Sequence, residues 1–554
     1  MTSRAVAWLR LAPWLGVVAY AAVLARRVPS LVHDTATSDS VGTMLVAQRL
    51  PSAPPGSTVT LGNAAHYTTL WFDEATRGLA HHRAIWEAMP YVAALLGLLI
   101  LVETVRRLAG RQAALVCLAI GIATPPLLLL PQFAQAFHGL TVLNGIVLGA
   151  LLVWLARTPR PTAVHVLAGA EAIAVLTGLG LASDLLLLVT GILPFALALV
   201  VLAWHRRDRR GRELLVVGGA VVLVSVVAGG LTALAMHRGG YDTIGVSQGV
   251  ATPGQFKSNA SLLGQLVLDF GNGRLTLHDL GFLGPARLLL GVIALVGALV
   301  PLWVLERVVR GRGGAAAASP ARDAPHEQGD DVPPAEERNE DAVRLFLSYW
   351  GFVALLLLIV FLFSRIPVDR SSMRYLVSGF MAVAATVPFL TLRGRTTAAL
   401  VALAVTVNGV LGALVLQRAT LDDFDVLQQH PDGLVAALEA HGLHHGYAGY
   451  WQANLITWDS DGAVQVASVQ QRPECHAGAP GWFCPYRFFS VSDWYAPQPG
   501  PSFLIREIGG VYVPDPPPSS VRPTSVFSYD RFAIYVYDHD IGADAAQHTQ
   551  GWNG

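Results

Sequence analysis

The run Arg206-Arg-Asp-Arg-Arg-Gly-Arg-Glu-Leu-Leu-Val-Val-Gly-Gly-Ala-Val-Val-Leu-Val-Ser-Val-Val-Ala-Gly-Gly-Leu-Thr-Ala-Leu-Ala235 decides the class of fold. Five arginines crowd its first seven residues, and Leu214 to Ala235 then pass without a charge. An uncharged apolar stretch of about 20 residues is what an α-helix needs to cross a hydrocarbon core roughly 30 Å thick. The same pattern recurs along the chain. Eleven stretches are expected to span: 7–25, 89–107, 113–130, 138–156, 163–182, 184–204, 213–235, 287–306, 345–364, 375–392 and 398–416. The first is read as a retained span, because it ends in Leu-Ala-Arg-Arg and lacks a small-residue cleavage site.

Composition agrees. Hydrophobic residues are 53% of the 554, charged residues only 14%, and mean hydropathy is +0.48, where soluble domains run near a quarter charged. A soluble enzyme, a disordered chain and a fibrous repeat are excluded. The 38 basic residues balance 38 acidic ones with no basic tract, so nucleic acid is not an expected partner. The lipid bilayer is. Arginine in short loops sets the orientation: Arg106, Arg107 and Arg111; Arg157 and Arg160; Arg206 to Arg212; Arg307, Arg310 and Arg312; Arg393 and Arg395 fall on one side. This places the N-terminus inside and leaves residues 27–88, 236–286 and everything after 417 outside. The expected fold is mostly α, a polytopic bundle of about 11 spans with a small extracytoplasmic α/β C-terminal domain, in a bacterial plasma (inner) membrane.

The domain plan follows from breaks in this pattern. Residues 1–306 form the main membrane core with its outer loop 27–88. Residues 307–342, rich in Gly, Ala, Pro and acid without an aromatic, read as a disordered cytoplasmic linker, since such a segment buries too little apolar surface to order itself. A three-span module, 343–416, follows. Residues 417–554 read as the α/β domain, with a helix near 421–442 and a hairpin made from strands 453–458 and 463–469 around Asp-Ser-Asp-Gly. Further strands are expected at 503–508 and 532–538. Cys475 and Cys484, with Cys117 in a span the only other cysteine, are expected to close a loop by a disulfide outside the cytoplasm, free thiols being the alternative.

The loop 27–88 is too long for a plain connector. It carries Asp34, Asp39, Asp73 and Glu74 among aromatics. Thr37 to Leu50 starts with capping residues and sets Val41 and Leu45 on one face, and Tyr67 to Leu79 has similar spacing; both are expected as short amphipathic helices at the membrane interface. Carboxylates held there can meet a lipid head group, although Asp39 could equally serve as a helix cap and Asp73 and Glu74 could face water. Arg365, Arg370 and Arg374 stand in an outer turn where arginine is otherwise rare, as phosphate ligands or as interface anchors.

A first span, a long outer loop with an early aspartate, many further spans and an outer C-terminal domain resemble the GT-C superfamily of integral-membrane glycosyltransferases. The residues that carry the likeness are Ser38-Asp39-Ser40, Tyr67-Thr-Thr-Leu-Trp71, His82-Arg83-Ala-Ile-Trp86-Glu87 leading to Pro90, Phe137-His138-Gly139-Leu140-Thr141, Arg374-Tyr375-Leu376 and Gly446-Tyr-Ala-Gly-Tyr-Trp451. The sequence departs from the family's pattern in having Asp34 and Asp39 five apart, Asp73-Glu74 being the adjacent acids. The resemblance implies a sugar donor linked to polyprenyl phosphate and a cell-envelope glycan, lipid or protein acceptor. It implies Asp39, then Asp73 or Glu74, as the base that takes the acceptor's proton. Arg365, Arg370 and Arg374, with His138 and Lys257, would meet the departing phosphate. Trp71, Trp86 and Trp451 offer faces to an acceptor sugar. No cofactor is required; a divalent metal, Mg or Mn, is compatible with the carboxylates. The rival readings are a lipid or solute transporter or flippase, which would show matching halves with broken helices, and a non-catalytic scaffold or sensor.

Overall fold

The computed structural model describes residues 14–27, 36–62, 64–125, 128, 136–244, 249–270, 284–311, 334–367, 370–391, 394–418, 432–471, 482–508, 517, 521–549 and 552. The chain divides into two compact units. One comprises Met1–Leu31, Met89–Thr232 and Ser247–Val426; the other comprises Val32–Ala88, Ala233–Val246 and Leu427–Gly554.

The first unit is a helix bundle. Among the described residues nine helical segments are long and apolar enough to cross a membrane. The expected stretches 89–107 and 113–130 begin in one run, His82–Ile122, which is broken at Gly110 with φ 82°, a backbone position that glycine adopts without strain. Of the first expected span, residues 14–27 are described and helical. Helix Ala335–Phe363 packs against Ala136–Arg157, Leu193–His205, Gly284–Val309 and Val377–Thr391. Tyr349 and Trp350 are buried at its middle, and the Tyr349 hydroxyl donates to the carbonyls of Gly145 (2.5 Å) and Thr190 (3.2 Å). In an apolar interior a hydroxyl must find such partners. At the arginine-rich ends, Arg210 donates to the carbonyls of Ala156 (2.6 Å), Thr158 (3.0 Å) and Pro159 (3.2 Å), and Arg206 pairs with Asp341 at 2.8 Å and with Glu337. That corrects the linker: it stops short of Ala335, since residues 335–342 begin the helix and bring Asp341 to Arg206. Residues 312–333 lie outside the described residues.

The second unit joins three distant stretches of chain. Its strands are β1 Val59–Leu61, β2 Tyr241–Thr243, β3 His445–Ala448, β4 Gln465–Gln470, β5 Cys484–Pro485, β6 Ser490–Val491, β7 Ser502–Glu507, β8 Ser525–Tyr529 and β9 Phe532–Tyr537. A small sheet has the order β2-β1-β6, with β1 parallel to β2 and antiparallel to β6. The main sheet runs β5-β4-β3-β7-β9-β8, parallel across β4-β3-β7 and antiparallel elsewhere. Alternate residues feed two cores, Val466, Phe503 and Ile505 into one, Ala467 and Leu504 into the other, as the two-residue period of a strand dictates.

Two expectations fail here. Residues 453–458 are helical, within Tyr450–Asp459, so the hairpin is replaced by a β3-helix-β4 crossover between parallel strands. The Asp-Gly pair ends that helix. Asp461 (φ 53°) and Gly462 (φ 80°) turn left-handed, with Gly462 N–H donating to Thr457 C=O (2.9 Å) and Asp461 N–H to Trp458 C=O (3.0 Å). This is the Schellman pattern of a helix C-terminus. Helix Ser38–Arg49 forms where expected but buries residues Val41 to Ala47 inside the unit, packed on Tyr67–Thr76 and Tyr450–Asp459. A Cβ at Gly42 would strike the Phe489 ring. The described part of the helix expected near 421–442 is Asp432–Ala440.

Candidate functional site

The α/β unit holds the candidate acids. Thr37 caps helix Ser38–Arg49, its side chain accepting from Ser40 N–H while Ser40 Oγ accepts from Thr37 N–H (2.8 Å). Capping is therefore done by Thr37, and Asp39 is left for another task. Asp39 is half-buried and accepts a 2.6 Å hydrogen bond from the Tyr450 hydroxyl. Ser38 Oγ sits 2.8 Å from the carbonyls of both Tyr450 and Trp451, fixing the two helix starts together. Burial, then the Asp39 carboxylate, holds the Tyr450 phenol well above its usual range, so it remains a donor.

Asp73 is different. It is 0% exposed, and among the described residues neither oxygen has a hydrogen-bond partner of good geometry. Thr43 lies close enough to favour the ionised form, but its own buried hydroxyl makes no hydrogen bond of good geometry. Burial dominates and pushes the Asp73 carboxyl well above the usual range, with Glu74 adding to the rise. At 0% exposure the Asp73 carboxyl has no surface to offer a substrate, which sets it apart from Asp39 and Glu74 as a candidate base. Glu74 is half-buried and raised by burial, against the opposing pull of Arg77 and of a hydrogen bond from Tyr241. Asp34 lies outside the described residues.

Of the aromatics, Trp86 is 0% exposed, stacked on Trp458 at 6.3 Å and donating from Nε1 to Thr76 Oγ1 at 2.7 Å. It belongs to the core, not to an acceptor surface. Trp71 is half-buried against Tyr67. Trp451 is 37% exposed. Cys484 is disulfide-bonded and Cys117 is free; Cys475 lies outside the described residues. His441 stacks on Phe527 at 4.1 Å, and His444 Nδ1 meets the Ala463 carbonyl. Among the described residues no three His, Cys, Asp or Glu side chains gather to hold a metal ion.

The bundle brings some of the expected cations together. His138 Nδ1 lies 3.1 Å from Asp184 Oδ2, both buried. Asp184 also accepts from Thr141 Oγ1 (2.6 Å) and from Leu186 N–H (2.9 Å). The His138 ring meets the Tyr375 ring edge-on at 5.4 Å, and Arg374 Nη2 donates to the Tyr375 hydroxyl at 3.1 Å. His138, Asp184, Tyr375 and Arg374 thus form one chain of contacts. Arg370 opens the 3-10 turn Arg370–Leu376. Arg365 is exposed and donates from Nε to the Val250 carbonyl (3.2 Å). Lys257 is exposed on helix Pro253–Phe270, beside Ser258, Ser261 and Gln265. Of the candidates' partners, Tyr241 carried no signal in the sequence, whereas Tyr450 stands in the Gly446–Trp451 segment and Asp184 is an acid directly after a span.

No family model matches the sequence, and no curated protein matches it. Among solved structures, the chain is similar to ArnT from Cupriavidus metallidurans in the apo state, with 14% identity, 96% of this chain and 98% of that chain covered, and a TM-score of 0.45. ArnT bound to undecaprenyl phosphate gives 13% identity over the same shares at a TM-score of 0.38. The archaeal oligosaccharyltransferase AglB from Archaeoglobus fulgidus, in complex with an inhibitory peptide and a dolichol-phosphate, gives 11% identity, 84% of this chain and 65% of that chain, and a TM-score of 0.43. These are likenesses of shape, and no residue here takes a role from them. The helices and sheet themselves establish a polytopic, mostly helical membrane protein carrying a small α/β unit.

Proposed function

We propose that this protein is a membrane glycosyltransferase of the GT-C kind, moving a sugar from a polyprenyl-phosphate donor to a cell-envelope acceptor, with Asp39 as the general base. The observation that carries this is the contrast among the loop acids. Asp73 is sealed in, whereas Asp39 and Glu74 are both half-buried and held by a tyrosine hydroxyl, Tyr450 at 2.6 Å and Tyr241 respectively. Asp39 is preferred because it stands in the first turn of helix Ser38–Arg49, where the helix N-terminus favours a carboxylate. The arginine-rich loops support a plasma-membrane setting with the α/β unit on the outer face.

In this reading the acceptor hydroxyl gives its proton to an Asp39 oxygen as its own oxygen bonds to the anomeric carbon. The bond from that carbon to the donor phosphate breaks, and its electron pair leaves with the phosphate. The charge gained by the phosphate calls for a cation; within the bundle, taken by itself, the candidate phosphate ligand is Arg374, whose Nη2 donates to the Tyr375 hydroxyl at 3.1 Å. His138, oriented by Asp184, lies behind the same tyrosine. No metal is needed for these steps. The test is Asp39→Asn in the full chain, assayed for sugar transfer from a polyprenyl-phosphate sugar. Loss of transfer with normal folding and expression supports the reading, and undiminished transfer overturns Asp39 as the base.

A further inference from the structure

A cavity of about 160 Å³ lies within the α/β unit, away from Asp39's carboxylate contacts. Its walls come from the C-terminal turn of helix Ser38–Arg49, from β3 and β4, and from the residues after β6. At ~30 Å³ per molecule it has room for about five waters, the scale of one sugar ring and not of an extended chain. Three features define what fits. Gln48 and Gln465 supply amides, each able to donate and accept. Trp494 contributes a half-exposed indole. The charge of Arg49 is already cancelled, as it lies 2.9 Å and 3.1 Å from Asp493 Oδ2 through Nη2 and Nε, and among the described residues no other Lys, Arg, Asp or Glu lines the space. His445, on the wall, is tied to Tyr447 at 3.3 Å, and Tyr447 donates to Asp540 at 2.7 Å. Burial depresses the His445 pKa and favours the neutral ring.

We infer that this cavity binds one neutral pyranose unit of a saccharide, with Gln48 and Gln465 reading hydroxyls and Trp494 facing the ring. An anionic ligand would find no uncompensated cation there, and a purely apolar one would strand the amides without partners. Aromatic contact joined to paired amide hydrogen bonds is the chemistry that suits a polyhydroxylated ring. The inference stands independently of the transfer reaction and assigns no role in it.

The experiment uses the full chain in lipid nanodiscs and ligand-observed saturation-transfer NMR. The probes are methyl α-D-mannopyranoside, methyl β-D-galactopyranoside and methyl β-D-glucopyranoside, with glucuronate as the charged control. At least one neutral glycoside should receive saturation. Gln465→Ala, at an exposed side chain, should weaken it about fivefold, one lost hydrogen bond's worth, and adding Gln48→Ala should weaken it further. Asp39→Asn should bind as the unaltered chain does, which separates this result from failure of the proposed reaction. The inference is overturned if no neutral glycoside binds, if binding survives Gln465→Ala with Gln48→Ala undiminished, or if glucuronate binds more tightly than all three.

Discussion

The bundle and the α/β unit each bury an aspartate, and they treat it in opposite ways. Asp184 in the bundle is met by three groups, the His138 imidazole, the Thr141 hydroxyl and the Leu186 N–H. Asp73 in the α/β unit has, among the described residues, only Thr43 nearby and no hydrogen bond of good geometry. A buried acid ringed by donors can keep its charge and hold a neighbour in a fixed pose; here the neighbour is His138. One poor in donors is pushed toward its neutral form by burial. Exposure completes the contrast: Asp39, proposed above as the base, is half-buried, while Asp73 and Asp184 are buried and reach only the protein around them.

The strongest way to break that contrast is to exchange the acids for their amides. Asp39→Asn should cut sugar transfer by roughly 10²- to 10⁴-fold, the usual weight of a positioned base, measured as product formed per folded molecule. Asp73→Asn should leave transfer nearly intact; a comparable loss there would return Asp73 to the chemistry. In the bundle, Asp184→Asn should lower transfer by about 10- to 100-fold, since one charge-assisted contact to His138 is worth ~1.5–3 kcal/mol. Its donor KM should rise more than its kcat falls, because the residue acts through His138.

Thermal unfolding of the intact protein, followed through the α/β unit, gives the next sharpening. The Asp73 pKa is higher folded than unfolded, so its contribution to stability is complete below the unfolded value, ~3.9, and falls as pH rises toward the folded value. Over that range the loss approaches ~1.4 kcal/mol per pH unit. Asp73→Asn removes the slope, and the variant should gain most on the unaltered protein at alkaline pH. His445 works in the other direction: its folded pKa is depressed, so its contribution is present above about 6.5 and is lost as the medium is acidified. Gly42→Ala, which drives a methyl into Phe489, should cost about 1–3 kcal/mol. The smallest effect belongs to Arg83→Ala. Arg83 lies 3.9 Å above the Trp458 ring and 2.9 Å from the exposed Asp461, and its loss should cost only ~0.2–1 kcal/mol.

Much of the architecture was legible in the sequence because spans are written as long uncharged runs, and the helices at 38–49 and 67–76 announced themselves by capping residues and spacing. What was not legible was local signals with two meanings. Asp461-Gly462 turns the chain equally well between two strands or off a helix end, and only the parallel partner β3 settles which. β1 is three residues long, too short to show a period, and its neighbours lie far along the chain. At the site, the sequence put Asp39 ahead of Asp73 and Glu74 but did not separate those two. Helix Tyr67–Thr76 turns Asp73 inward and Glu74 toward Tyr241, a choice made by packing partners that periodicity alone does not name.

The little sheet β2-β1-β6 has a consequence for how the protein is made. Val59 must wait for Val491, about 430 residues later, before its antiparallel neighbour exists. At 5–20 residues per second of translation that is roughly 20 to 90 s. Through that interval the early segment has an unsatisfied strand edge and helices without their lids. Biogenesis of this protein therefore calls for protection of a half-finished surface, and truncated or stalled chains should be cleared by proteases that the completed chain resists.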